Sequence, residues 1–135
     1  MSYATPIVFV VDDDVSVRES LELLIESAGW QVQTFESARE FLAHPPVQTG
    51  PQCLVLDVNL RDFTGLDLQQ SLAVDRNEIP VILMSGYDSG EARARAMNAG
   101  AVAFLPKPLD VDALLRAIER AIERSRATLG HEGKV

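Results

Sequence analysis

The chain has 135 residues, near the size of one domain and too short for two full ones. Its 20 acidic residues outnumber 12 basic ones, for a net charge of -8; this argues against a chain built to wrap nucleic acid, which needs clustered Lys and Arg, and it suits a cation site or a basic partner. With 47% hydrophobic and 24% charged residues, no basic or apolar leader in Met1-Ser2-Tyr3-Ala4-Thr5-Pro6, and no apolar run near the ~20 residues a membrane helix needs, a cytoplasmic protein without a membrane segment is expected.

Ile7-Val8-Phe9-Val10-Val11 is a continuous apolar run, the pattern of a strand buried on both faces, and it ends in Asp12-Asp13-Asp14. Val17, Leu21, Leu24, Ile25 and Ala28 then recur at helical spacing, with Asp14 as N-cap and Gly29 as C-terminal stop. Gln31-Val32-Gln33-Thr34-Phe35 alternates, as an edge strand does. Ser37 and Glu40 form a capping box for a short helix through Leu42, and His44 through Pro51 reads as a loop. Cys53-Leu54-Val55-Leu56 is the second apolar run, closed by Asp57; Cys53 is the only cysteine, so no internal disulfide exists, and a buried thiol is expected. A loop through Gly65 leads to a helix bearing Leu68 and Leu72. Val81-Ile82-Leu83-Met84 is the third apolar run, ending at Ser85-Gly86. Glu91 to Ala99 reads as helix stopped by Gly100, Ala101 to Leu105 as a strand ending at Pro106-Lys107-Pro108, and a last helix opens at Asp110. Residues 1–127 form the domain; Thr128 to Val135, with two glycines and mixed charges, is expected to be a mobile tail or the start of a linker.

Five strands alternating with five helices, with no hairpin turns between strands, imply an α/β fold: a doubly wound parallel sheet covered on both faces. Ligands bind such sheets beyond the carboxyl ends of the strands. Those ends carry Asp12 and Asp13, Asp57, Ser85 and Lys107. Three ionised carboxylates repel one another strongly in a dry pocket unless a cation joins them. Mg2+ takes hard oxygen ligands and is commonly held by one or two carboxylates plus phosphate. Asp13 and Asp57 are the foremost ligand candidates, Asp12 acts directly or through water, and Asn59 can offer its carbonyl. An Asp can also be a nucleophile that forms an aspartyl phosphate. Phosphoryl transfer asks mainly for positioning and positive charge, which Lys107 supplies, while the Ser85 hydroxyl can donate to a phosphate oxygen. Taken singly, each residue has a plain explanation as a cap, turn former or solvated loop residue. Their joint placement at successive strand ends argues against that explanation.

Val10-Val11-Asp12-Asp13-Asp14, Leu56-Asp57-Val58-Asn59-Leu60, Met84-Ser85-Gly86 and Pro106-Lys107-Pro108 together resemble the receiver domain of bacterial two-component response regulators, over about residues 6 to 126. The resemblance implies a flavodoxin-like sheet of strand order 2-1-3-4-5. It further implies that Asp57 takes a phosphoryl group from a phosphohistidine of a sensor histidine kinase, with Mg2+ held by Asp13, Asp57 and the Asn59 carbonyl beside Asp12. Ser85 stands at the switch hydroxyl, Lys107 at the matching lysine, Phe104 at the aromatic switch position, and the Lys107-Pro108 bond at one that is typically cis. Such a domain only phosphorylates and slowly dephosphorylates itself, and is not otherwise an enzyme. Leu60 and Arg61 depart from the Met-Pro often found in that loop; Arg for Pro removes a backbone restraint and adds a cation. The Asp-Asp-Asp start and the Ser-Gly resemble receivers of regulators with a helix-turn-helix output domain. His131-Glu132-Gly133 shows no such pattern, so this chain is expected either to stand alone or to lack a C-terminal DNA-binding domain, and not to bind nucleic acid itself.

Phosphorylation-promoted homodimerisation through the fourth helix, fifth strand and fifth helix is a further expectation, with Arg93, Arg95, Arg116, Arg120, Glu119 and Glu123 as candidate charged pairs. Two other readings compete. Asp12-Asp13-Asp14-Val15 matches the first four positions of the D-x-D-x-V pattern of haloacid-dehalogenase-type phosphatases, with Ser16 at the fifth, though Asp57 then has no role. A degenerate receiver acting independently of phosphate would not need all five key residues, which are present.

Overall fold

The computed structural model describes residues 5–43, 50–62, 64–74, 79–87 and 90–132, without the side chains of 73–74 and 129–132. The elements are β1 (Ile7–Val11), α1 (Val15–Ser27), β2 (Gln31–Phe35), α2 (Ala38–Leu42), β3 (Gln52–Asp57), α3 (Gly65–Val74), β4 (Val81–Ser85), α4 (Gly90–Asn98), β5 (Ala103–Pro106) and α5 (Val111–Glu132). The five strands pair in parallel in the order β2-β1-β3-β4-β5, the doubly wound order expected.

The two-residue period of a strand sends alternate side chains into two cores. Phe9, Val11, Leu54, Leu56 and Leu83 face one layer with Phe41 of α2, Leu68 and Leu72 of α3 and Ala96 of α4. Val8, Val10, Cys53, Val55, Ile82 and Met84 face the other, against Leu21 and Ile25 of α1 and Leu114, Ile118 and Ile122 of α5. Both faces of the central strands are therefore dry, which is why β1, β3 and β4 read as unbroken apolar runs. The Cys53 thiol is fully buried. Among the described residues no helix is long and apolar enough to cross a membrane.

Local chemistry sets the helix ends. Asp14 caps α1 by accepting the Ser16 amide at 2.9 Å. Gly29 has φ of 99°, its N–H donates to the Glu26 carbonyl, and the Trp30 N–H reaches back to Ile25. Gly100, with φ of 95°, repeats the arrangement through Met97 and Ala96. Both close their helices as Schellman motifs, where a left-handed residue is needed and glycine carries no Cβ penalty. Ser37 caps α2 by accepting the Glu40 amide at 3.0 Å.

Some boundaries differ from the sequence reading. β5 begins at Ala103, because Ala101 is still tied to the end of α4 and Val102 joins the sheet through a single bond to the Val81 carbonyl. Gly65, read as loop, is the first residue of α3. The last helix continues to Glu132, so the described part of the stretch from Thr128 is helical. Thr128 Oγ1 bonds the Arg124 carbonyl at 3.2 Å within that helix, and one interior glycine, Gly130, costs only about 1 kcal/mol, too little to stop a helix already under way. Most of the loop read between His44 and Pro51, and the last three residues, lie outside the described residues.

Candidate functional site

Because all strands run in parallel, their carboxyl ends share one edge. β1 delivers Asp12 and Asp13 there, β3 delivers Asp57, β4 delivers Ser85 and β5 leads into Lys107. Asp12 and Asp57 are buried, and Asp13 is half-buried. One carboxylate oxygen from each of the three acids lies within 4.8 Å of the others. Lys107 Nζ reaches Asp12 Oδ2 at 2.9 Å and Asp57 Oδ2 at 3.4 Å. The Lys107-Pro108 bond is cis.

Backbone donors complete the cradle. The Asn59 amide donates to Asp57 Oδ1 at 3.1 Å and the Asp14 amide to Asp12 Oδ1 at 2.9 Å. Arg18 Nη1 donates to the Asp12 carbonyl at 2.7 Å. Burial, opposed by the Asn59 amide and assisted by the nearby Asp12 charge, pushes the Asp57 carboxyl above its ordinary range. For Lys107, burial favours loss of the proton, but the hydrogen bond to Asp12 and the charges of Asp57 and Asp12 outweigh it and raise its pKa. Three acids facing one half-buried ammonium leave an excess of negative charge. The donor set is all oxygen, compact and close to the chemistry a hard divalent cation requires. These residues fit Mg2+.

Arg61, which replaces the expected proline, points its Nε at Asp13 Oδ2 across 3.6 Å with its side chain almost fully exposed. Exposed pairs of this kind stabilise by less than about 1 kcal/mol. Ser85 is buried, and its hydroxyl is engaged with its own neighbour: it donates to the Tyr87 carbonyl at 2.6 Å and accepts the Tyr87 amide at 3.1 Å. Donation to an oxygen on Asp57 therefore requires that hydroxyl to leave Tyr87. Asn59 is exposed and is brought to Asp57 through its amide. Phe104 is already buried; the Arg93 guanidinium lies 5.0 Å from its ring centroid and Nη1 donates to the Phe104 carbonyl at 3.1 Å.

Three of the charged residues assigned to a dimer face are engaged inside the chain, Glu123 through Arg126 Nη1 at 3.3 Å. Arg95 binds Asp67 Oδ1 at 2.9 Å and Gln70 Oε1 at 3.1 Å, tying α4 to α3. Arg93 is the cover of Phe104. Arg116, Glu119, Arg120 and Glu123 are exposed along α5. The sequence reading missed Arg18, Tyr87 and Gly65. A Cβ at Gly65 would stand 2.4 Å from the Asp57 carbonyl oxygen, and its N–H donates to the Val58 carbonyl at 2.8 Å. A glycine at the mouth of a helix just past a strand-end acid was the available signal.

The described architecture matches known proteins closely. The family model for the response regulator receiver domain matches residues 8–119. Nodulation protein W of Bradyrhizobium diazoefficiens is 47% identical over 122 residues, covering 89% of this chain and 52% of that protein. Transcriptional regulatory protein TdiR of Thauera aromatica is 41% identical over 119 residues, covering 88% of this chain and 52% of its own length. The chain thus spans about half the length of these relatives. Among solved structures, response regulator StyR superposes with a TM-score of 0.90 at 40% identity, covering 97% of this chain and 66% of that one. The structure of FixJ-N gives a TM-score of 0.79 at 35% identity, covering 91% and 95%. The acid pair follows directly on β1, and Asp12 is held by Lys107 and the Asp14 amide. The chain belongs to the response regulator receiver domain family.

Proposed function

We propose that this domain accepts a phosphoryl group on Asp57 from a sensor histidine kinase, in a Mg2+-dependent reaction, and changes conformation to control an output partner in two-component signalling. One observation carries the reading: Asp57 stands buried within reach of two further carboxylates and of the Lys107 ammonium, at the sheet edge where such folds bind ligands. A carboxylate oxygen of Asp57 attacks phosphorus; the O–P bond forms, the bond to the donor's imidazole nitrogen breaks, and its electron pair leaves with the imidazole. Asp12, Asp13, Asp57 and the Asn59 carbonyl are the groups to hold Mg2+, which when bound supplies positive charge to the transferred oxygens. Lys107 neutralises charge on the same oxygens, and the Asn59 amide fixes the rotamer of the nucleophile.

Metal and Lys107 together balance three carboxylates, so a phosphoryl group adds about -1.5 to -2 units that the empty site does not carry. Ser85 answers that charge by exchanging the Tyr87 carbonyl for a phosphate oxygen. Because Phe104 is already inside, its rearrangement is a repacking under Arg93 and not an entry from solvent. The face of α4, β5 and α5 changes in consequence, since packed elements respond between discrete states. Residues 1–127 act as the receiver unit in the cytoplasm, and the segment from Thr128 leads toward an output partner. Two relatives are by name transcriptional regulators, which suggests a DNA-binding output domain beyond this chain; the receiver itself contacts neither nucleic acid nor membrane. Activated dimers would meet through exposed α5 residues such as Arg116 and Glu123.

Incubation with acetyl phosphate and Mg2+, followed by intact mass measurement, tests the reading. One phosphoryl group is expected on the wild type and none on Asp57→Asn. An unlabelled wild type would instead favour a phosphate-independent interaction module, and steady turnover of a phosphate ester would favour a phosphatase. Sedimentation with and without beryllofluoride checks dimerisation.

A further inference from the structure

We propose that Asp62 is a positioning residue for phosphoryl transfer, tying the loop beside the phosphoacceptor to the start of α2. The inference rests on Asp57 being the acceptor. The loop from Val58 to Thr64 lacks the proline that would restrain it at position 61, so something else must hold it. The Asp62 carboxylate accepts the Ala38 amide at 3.4 Å through one oxygen and the Arg39 amide at 3.0 Å through the other. These are opening amides of α2, donors that the helix itself leaves without partners. A carboxylate there gains charge-assisted hydrogen bonds.

The anchor is firm because α2 is pinned beneath it. Ala38 and Phe41 are buried, and the Phe41 ring packs edge-on against Phe9 at 5.7 Å and Phe35 at 5.4 Å between centroids. At the far end of the loop the Gly65 amide is bound to the Val58 carbonyl. Between these fixed points lies Asn59, whose amide orients Asp57. Releasing Asp62 frees the apex of the loop, and the Asn59 amide loses its fixed direction. Asp62 is not one of the three clustered acids, so its effect falls on the alignment of the nucleophile, not on cation binding.

The test compares Asp62→Ala and Asp62→Asn with the wild type, the Asn retaining one acceptor oxygen. Amide exchange at Ala38 and Arg39 reports the contact directly, Mg2+ affinity is read by backbone amide shifts, and labelling by acetyl phosphate gives maximal rate and KM separately. Asp62→Ala is expected to speed exchange at both amides and to lower the maximal rate about tenfold, the scale of a misaligned reacting group. Mg2+ affinity should stay within about twofold and Asp62→Asn should recover most of the rate, since a neutral hydrogen bond keeps part of the charged one's strength. An unchanged maximal rate in Asp62→Ala overturns the proposal, as does a loss matched by weaker Mg2+ binding. A wild type that takes no label overturns the acceptor reading beneath it instead.

Discussion

Gly65→Ala sets two effects of opposite sign against each other. Gly65 opens α3, and replacing glycine by alanine in a helix gains about 1 kcal/mol of propensity. Against this, the new methyl would stand 2.4 Å from the Asp57 carbonyl oxygen and 3.0 Å from both the Asp57 carbonyl carbon and Val58 Cα. Carbon contacts are comfortable at about 3.5–4.0 Å, so relief needs a shift of roughly 1 Å. All three atoms are backbone, held by the Gly65 and Val58 amides at 2.8 and 2.9 Å to the Val58 and Met84 carbonyls. Overpacking of this kind costs about 1–3 kcal/mol, and with no flexible side chain to yield, the upper part of that range applies. The net is a loss of about 1–2 kcal/mol, or roughly 3–8 °C in Tm for a domain of this size. Urea unfolding should show a lower midpoint at unchanged slope. Displacing the Asp57 carbonyl should also slow labelling by acetyl phosphate about tenfold. A variant as stable as the wild type, with its labelling rate intact, would refute the close approach of α3 to the phosphoacceptor.

Other perturbations follow from the same geometry. With metal removed by a chelator, the raised Asp57 pKa makes protonation favour the folded state; that contribution is complete below the ordinary carboxylate range and is lost as pH rises through the raised value. Urea titrations from the ordinary carboxylate range upward should therefore show stability falling more steeply in the wild type than in Asp57→Asn, and equal slopes would contradict it. Arg93→Ala removes a hydrogen bond and a cation–π contact from Phe104 and should cost about 1–2 kcal/mol in urea unfolding, whereas no loss would mean the guanidinium is not held there. Burial pushes the Cys53 thiol well above its usual pKa, so it should react with a thiol reagent only as fast as the domain unfolds; prompt reaction in native buffer would contradict its place in the core.

The layout of the fold was readable because a parallel sheet covered on both faces demands unbroken apolar strands, and Ile7–Val11, Cys53–Leu56 and Val81–Met84 have little other explanation. The site acids were readable for a related reason: a charge at the abrupt end of a buried strand can only lie at the sheet's edge. What stayed hidden depends on side-chain partners far apart in sequence or on rotamers. Nothing in the sequence around Asp62 names its partners, and only the crossover from β2 to β3 brings it to α2. Arg95 sits on an Ala-rich helix whose pattern does not say whether it leans toward α3 or outward, and Asp67 decides it. Ser85 reads the same whether its hydroxyl serves Tyr87 or Asp57. The helical course of α5 past Thr128 was obscured by Gly130, because a local breaker was weighed without the long packed helix preceding it.

The central claim is that Asp57 is the nucleophile, and trapping the acyl phosphate tests it most directly. After incubation with acetyl phosphate and Mg2+, borohydride reduction should convert the phosphorylated residue to homoserine, located by peptide mass spectrometry. The account predicts homoserine at position 57, dependent on the metal and strongly reduced in Lys107→Ala. Homoserine at Asp12 or Asp13 in place of Asp57, or none at any acid, would contradict it.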